Sequence, residues 1–249
     1  MCDPSDLKPT TRFSDRVDDY VRYRPSYPEA AVDHVLAGLH APRVVDVGAG
    51  TGIWTAQLAA RGVRVIALEP NADMRAAAPA LAGVTWQGGT AEAAGLAGAS
   101  ADILTCAQAF HWFRAAEAIR EFARVLVPGG RLALVWNRRR NGDPFTNGYA
   151  EAILAIGGVS VMEGMNFDPT MIHAGGEFAP AERAVFPHEQ VLDRAGLHGR
   201  ARSASYVPKD GPRAEELRAR LDQLFDQHVD ATGRVRLRYD CEVWLASRL

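Results

Sequence analysis

The chain has 249 residues, 47% of them hydrophobic, with a formal net charge of −2. That content is too apolar for a disordered protein, and the length suits one large domain, with or without a lid, better than two independent cores. The balanced charge excludes the global basic field that nucleic-acid or anionic-membrane binding usually needs.

Residues 1–28 are polar, aromatic and proline-punctuated. EAAVDHVLAGL (29–39) predicts a helix with Ala31, Val32, Val35, Leu36 and Leu39 on one face. RVVDVG (43–48) is a short β-branched run ending in glycines, which suits a buried strand. A helix over 53–62 closed by Gly62, a strand over 63–70 and a helix over 71–81 follow, with Asn71 a candidate N-cap. Strands are predicted at 84–89 and 101–108, then an amphipathic helix over 115–126 stopped by PGG (128–130), then a strand over 131–137. Strands alternating with helices of this length imply βαβ units and a mainly parallel sheet.

Past residue 137 the alternation weakens. TNGYAEAILAIG (146–157) reads as a helix, and residues 158–181 show no clear period. ERAVFPHEQVL (182–192) reads as a strand that Pro187 confines to an edge. A strong helix spans 211–229, and the alternation of Val235, Leu237 and Tyr239, then Val243 and Leu245, marks a final strand over 234–246.

The glycines of VVDVGAGTG (44–52) sit between a strand and a helix, where a side chain would block a tight turn or a close ligand. Glu69 ends the next strand, placed as the carboxylate that grips ribose hydroxyls in nucleotide-binding α/β folds. Asp46, just before the turn, is expected to stay charged by accepting backbone N–H bonds. Its negative potential would repel a pyrophosphate and attract a sulfonium and an ammonium.

VVDVGAGTG, ALEPN (67–71), GTAE (89–92), SADILTCAQAFHWF (100–113) and LVPGG (126–130) together resemble class I S-adenosylmethionine-dependent methyltransferases. YRPSYP (23–28), AQAFHWF (107–113) and LVWNRR (134–139) look like the small-molecule branch similar to trans-aconitate methyltransferases. The resemblance implies a Rossmann-like α/β three-layer sandwich, helices on both faces of a seven-stranded, mostly parallel sheet of order 3-2-1-4-5-7-6 with strand 7 antiparallel. It implies one domain over 1–249, a cap over the cofactor at 1–28 and a substrate lid at 138–181. The implied cofactor is S-adenosylmethionine, with S-adenosylhomocysteine as product.

Residue by residue, the resemblance places Asp46, Gly48, Gly50 and Thr51 at the methionyl end of the cofactor and Glu69 on the ribose. Pro70 and Asn71 would flank the ring, and Ala91 and Glu92 would meet the adenine. Ala107 and Gln108 would border the sulfonium, while Tyr20 and Arg24 would close the pocket, Arg24 pairing with the methionyl carboxylate. His111, Trp112 and Arg138 are the substrate-side candidates. An ordinary imidazole pKa of about 6.5 would let His111 take a proton near neutrality. The competing reading packs His111 and its aromatic neighbours into the core. For the basic run 138–140, carboxylate binding and a solvated turn are both open.

The expected reaction is methyl transfer to a small acceptor, a carboxylate or hydroxyl. The absence of an [ND]-P-P-[YF] motif argues against adenine or glutamine N-methylation. A nicotinamide oxidoreductase and a non-catalytic cofactor-binding module are the alternatives. Cys2, Cys106 and Cys241 are too far apart for a metal site and read as free thiols. His34, His40, His188, His198 and His228 read as surface or helix residues, and Met162 and Met165 as core filling or an adaptable apolar wall. MCDPSDLKPTTRF has no apolar signal core and no run approaches a membrane span, so the expectation is a cytoplasmic protein with no metal, nucleic-acid or membrane partner, its oligomeric state open.

Overall fold

The computed structural model describes residues 17–157 and 167–249. Cys2, the first part of the expected cap, and Met162 and Met165 lie outside the described residues.

Helices α1 (Val17–Tyr23) and α2 (Glu29–Leu36) precede strand β1 (Arg43–Val47). There follow α3 (Ile53–Ala59), β2 (Arg64–Leu68), α4 (Ala72–Ala76), β3 (Val84–Gln87), β4 (Ala101–Ala107), α5 (Ala115–Val125) and β5 (Leu126–Arg139). The rest is α6 (Pro144–Gly157), β6 (Glu182–Leu192), α7 (Arg194–Arg202), α8 (Pro212–His228) and β7 (Val235–Ser247). The seven strands form one sheet of order 3-2-1-4-5-7-6, the order implied by the resemblance. β1 to β5 pair in parallel, and β7 runs antiparallel between β5 and β6.

Two apolar layers sandwich the sheet. One joins Ala31, Val32 and Val35 of α2 and Trp54 and Leu58 of α3 to Val44, Val65 and Val135. The other packs Ile119, Phe122 and Val125 of α5 on Val45, Leu104 and Leu134. A third cluster joins α6, α7 and α8 to Val235, Leu237 and Tyr239 of β7. The segment after β5 thus has a core of its own, hung on β7.

Several boundaries differ from the sequence reading, and three of them have a local feature beside them. α4 ends at Ala76 rather than 81, because the ring of Pro79 disfavours helical backbone just before it and removes a donor. α2 ends at Leu36, with Gly38 at φ +75°. The PGG turn is absorbed into β5 itself. Leu126 pairs with Ala101, the register shifts, and Arg131 then pairs with Ile103, an irregularity that Gly129 accommodates at φ +73°. Pro187 does lie on an edge strand, since β6 pairs only with β7.

Candidate active site

The first and third glycines of the turn after β1 are needed where they stand. Gly48 has φ +69°, and a Cβ there would sit 2.6 Å from the Cβ of Ala109. Gly52 has φ +86° at the head of α3, with the Trp86 ring 2.9 Å from where a Cβ would be. The turn folds back over β2, its Gly48 and Ala49 N–H groups donating to the Leu68 carbonyl at 2.9 and 3.0 Å.

Beside it lies a cleft of about 470 Å³ open to solvent, at the carboxyl ends of β1, β4 and β5. Its lining includes Tyr20, Arg24, Asp46, Gly48, Thr51, Ala107 and Gln108, seven of the sequence candidates. It also includes Tyr27, Trp54 and Asn137, which the sequence reading did not assign to a ligand. Three lining side chains hold buried polar atoms with no hydrogen-bond partner: Arg24 Nε, Thr51 Oγ1 and Trp54 Nε1. Buried polar atoms normally find partners, so atoms left over at a cleft wall suit a polar ligand.

Asp46 is 1% exposed and accepts from Thr55 Oγ1 at 2.6 Å and Thr105 Oγ1 at 3.1 Å. Hydroxyls, rather than the expected backbone N–H groups, support this carboxylate. Burial outweighs them and pushes its pKa up to about 7, with Glu69 adding in the same direction.

Glu69 follows β2 and is 8% exposed. Its Oε2 accepts from Gly50 N and its Oε1 from Asn71 N, each at 2.9 Å. The carboxylate therefore braces the glycine turn. Burial raises its pKa against these two bonds. Asn71 is the N-cap of α4, its Oδ1 accepting from Asp73 N at 2.9 Å and Met74 N at 3.0 Å. Pro70 stands between them, its carbonyl accepting from Arg75 Nη1 at 3.0 Å. Ala91 is buried, and Glu92 Oε1 accepts from Arg114 N at 2.8 Å at the head of α5.

Gln108 directly follows β4 at φ +54°, a left-handed conformation that non-glycine residues seldom adopt. Its Nε2 donates to the Asn137 carbonyl at 3.1 Å, and its backbone N–H to Val135 O at 2.8 Å. The short helix Phe110–Trp112 follows. Phe110 is a core residue, edge-on to Phe113 with ring centres 6.0 Å apart, and Trp112 is partly buried against the same cluster.

His111 corrects the sequence expectation of a base near neutrality. Both ring nitrogens are buried without a hydrogen-bond partner. Burial, then Arg24 and Arg138, pull its pKa down to about 4, so the ring is neutral at pH 7.

Each arginine of the basic run has an intramolecular contact. Arg138 Nε lies 2.9 Å from Glu242 Oε2, shared with Arg183, and Arg140 Nη2 lies 2.6 Å from Asp240 Oδ1. Arg139 lies over the Tyr149 ring at 5.7 Å.

YRPSYP ties α1 to the sheet. Gln57 on α3 brackets Tyr27, donating to its carbonyl at 2.7 Å and accepting from its N–H at 2.9 Å. The Tyr27 ring packs edge-on to Trp54, 5.0 Å between centres. The proline-stiffened segment is thus structural at Tyr27, which also lines the cleft, and cleft-lining at Arg24, beside Tyr20 of α1. His188 departs from the expectation of a surface or helix residue: it lies on β6, stacks on Tyr239 at 5.3 Å and contacts Asn137 of the cleft wall.

Residues 45–134 match the methyltransferase domain family. An uncharacterised methyltransferase of Mycobacterium tuberculosis is 48% identical over 131 residues, 51% of this chain and 52% of that relative. The chain thus matches about half the length of that relative. An uncharacterised methyltransferase-like protein of Schizosaccharomyces pombe is 29% identical over 259 residues, 96% of this chain and 95% of the relative. A solved structure of a provisionally assigned type II methyltransferase from Anaeromyxobacter dehalogenans superposes with a TM-score of 0.65 at 22% identity, covering 91% of this chain and 97% of that one. Residues 45–134 thus match a methyltransferase domain, and the superposition shows that the chain around them shares the fold of that solved structure. Among the described residues, no helix is long and apolar enough to cross a membrane.

Proposed function

We propose that the protein transfers a methyl group from S-adenosylmethionine to a small-molecule acceptor, a carboxylate rather than a hydroxyl. The observation that carries this is the cleft itself, which the buried Asp46 carboxylate, the unpartnered donors of Arg24, Thr51 and Trp54 and the glycine turn all line. The trans-aconitate-like branch is the reading best supported by YRPSYP, AQAFHWF and LVWNRR.

The residues present fit the cofactor. Asp46, Gly48, Gly50 and Thr51 would hold its methionyl end, with Asp46 facing the ammonium and Arg24 Nε available to the carboxylate. Glu69 would take the ribose hydroxyls on its remaining lone pairs. Pro70, Asn71 and Ala91 would border the ring and adenine. Glu92 would reach the adenine amino group only on the oxygen not held by Arg114. Ala107 and Gln108 would face the sulfonium. When bound, the cofactor supplies an electrophilic methyl on a good leaving group.

What the chain must then do is align the acceptor, exclude water and provide charge. A carboxylate acceptor, already ionised, would need no proton removed by the chain. That suits His111, which is too weak a base in the free protein to ionise an alcohol but can donate a hydrogen bond to a carboxylate. Trp112 would wall the acceptor beside it. Residues 138–181 would form the substrate lid and 1–28 the cap over the cofactor, with Arg138 at the acceptor side.

The test is calorimetric titration with S-adenosylhomocysteine. Wild type should bind in the micromolar range and Glu69→Ala at least tenfold more weakly, about 1.4 kcal/mol. Glu69→Gln, which keeps one acceptor oxygen, should lie between. Absence of binding to the folded wild type would overturn the methyltransferase reading. Binding without turnover across an acceptor panel of small carboxylates and phenols would leave a cofactor-binding module.

A further inference from the structure

Beside the cleft lies a second group of charges, centred on Arg200, of which the reading above uses only Arg24. Arg200 on α7 is 6% exposed, yet among the described residues no carboxylate pairs with it. Its Nε donates to Tyr239 Oη at 3.2 Å and its Nη1 to Ser203 Oγ at 3.4 Å. Ser203 O in turn accepts from Arg24 Nη2 at 3.0 Å, and Arg24 also has no carboxylate partner among the described residues. Arg139, at the end of β5, bonds to Tyr206 from the third side. The carboxylates around this group are engaged elsewhere: Asp19 with Arg202, Asp240 with Arg140, Glu242 with Arg138 and Arg183. Buried guanidinium groups are normally matched by carboxylates or by ligand oxyanions. Here tyrosine and serine hydroxyls, which are neutral, take the place of carboxylates.

We propose that Arg200 and Arg139, with Arg24 and the hydroxyls of Tyr206 and Tyr239, form an oxyanion subsite that anchors a carboxylate or phosphate of the acceptor. This anchor group is separate from the atom that receives the methyl. The inference rests on the methyltransferase reading and narrows its acceptors to those carrying such an anion. The position supports it. Arg24 lines the cofactor cleft on one side and meets Ser203 of the arginine group on the other, so Arg24 is shared between the two sites. Guanidinium groups suit planar oxyanions because they offer paired donors. Tyr206 is the natural reporter. Burial pushes its pKa up, but Arg139, Arg24 and Arg200 more than reverse this and hold it below the ordinary phenol value. An anion seated among the arginines would offset their field and raise it.

The experiment is a spectrophotometric titration of tyrosine ionisation in the full chain, with Tyr206→Phe identifying the Tyr206 step. The probes are glutarate and inorganic phosphate, with sodium chloride at matched ionic strength as reference. S-adenosylhomocysteine binding is measured on the same samples. One of the two probes should raise the Tyr206 step by about one unit relative to chloride, and which one does so tells carboxylate from phosphate. Arg139→Gln, at a half-buried position, should weaken that response at least tenfold while leaving S-adenosylhomocysteine binding within twofold. Arg200→Met should abolish the response, with Arg200→Lys in reserve should the methionine variant fail to fold. If S-adenosylhomocysteine binds but neither probe moves Tyr206 beyond chloride, the subsite is overturned and the methyltransferase reading stands. If S-adenosylhomocysteine does not bind, that reading falls, and the acceptor anchor with it.

Discussion

Asn137 Oδ1 lies 2.8 Å from His188 Nε2, and the same side chain donates from Nδ2 to Ser26 O at 3.0 Å. One amide thus joins the carboxyl end of β5 to the edge strand β6 and to the segment around Ser26, whose neighbours Pro25 and Tyr27 line the cleft. Because Oδ1 can only accept, His188 must carry its proton on Nε2. Burial lowers the pKa of that ring, which favours the neutral form. Asn137→Ala leaves these partners unsatisfied and should cost about 1–3 kcal/mol of stability. It should also weaken S-adenosylhomocysteine binding by loosening Tyr20 and Arg24. Urea denaturation and calorimetry on the same variant check both, and an unchanged midpoint would count against the joint.

Asp46 makes stability depend on pH in a definite direction. Its pKa rises from 3.8 to about 7 on folding, so the folded protein holds this proton more tightly than the unfolded chain. The associated stabilisation is complete below about pH 4 and is lost as pH rises through about 7. His111 acts oppositely between about pH 4 and 6.5, since folding lowers its pKa. Subtracting Asp46→Asn isolates the first effect. Wild type should lose stability relative to that variant between pH 4 and 7, by several kcal/mol for a group this buried. A pH-independent difference would show that Asp46 is not held protonated.

The same carboxylate couples cofactor binding to protons. A methionyl ammonium beside Asp46 would favour its ionised form. At pH 7, where Asp46 is about half protonated, S-adenosylhomocysteine binding should release up to about half a proton. Calorimetry in buffers of different ionisation enthalpy measures this. Asp46→Asn should bind with no such release.

Gly48→Ala should be among the most damaging small changes. Its backbone lies at φ +69° and its Cβ would press on Ala109 at 2.6 Å. Strain at such a position costs about 1–3 kcal/mol. Both the melting temperature and S-adenosylhomocysteine affinity should fall, the latter at least tenfold. Gly62→Ala, also at positive φ but with nothing within 4 Å, should cost stability alone.

The βαβ half was legible because its signals are local. β-branched runs mark β1 and β2, and glycines mark the turn that receives a ligand. The helix spans were too long where one punctuating residue was passed over, as at Pro79 and Gly38. In the site, Gly48, Thr51, Ala107 and Gln108 line one cleft, and Gly50 lies outside its lining. What sequence did not disclose was pairing across the fold. Thr55 and Thr105 meet Asp46 from α3 and β4, and Glu242 claims Arg138 from a strand 104 residues away. No periodicity encodes such contacts. Arg200 carried even less signal, being one of several arginines on a polar helix until burial set it apart. His111 was noticed, but its pKa depends on Arg24 and Arg138, which only the fold brings near.

The antiparallel strand β7 lies between β5 and β6, although β6 precedes it in sequence. On a ribosome, β6 therefore has no neighbour in the sheet until β7 has emerged, while β1 to β5 can already pair among themselves. The cofactor half can assemble early, and the arginine-bearing half must wait for a long-range closure, which is intrinsically slow. In that interval β6 is an unpaired edge with Val185 and Val191 exposed even in the finished fold, and Pro187 at its centre is a natural guard against association there.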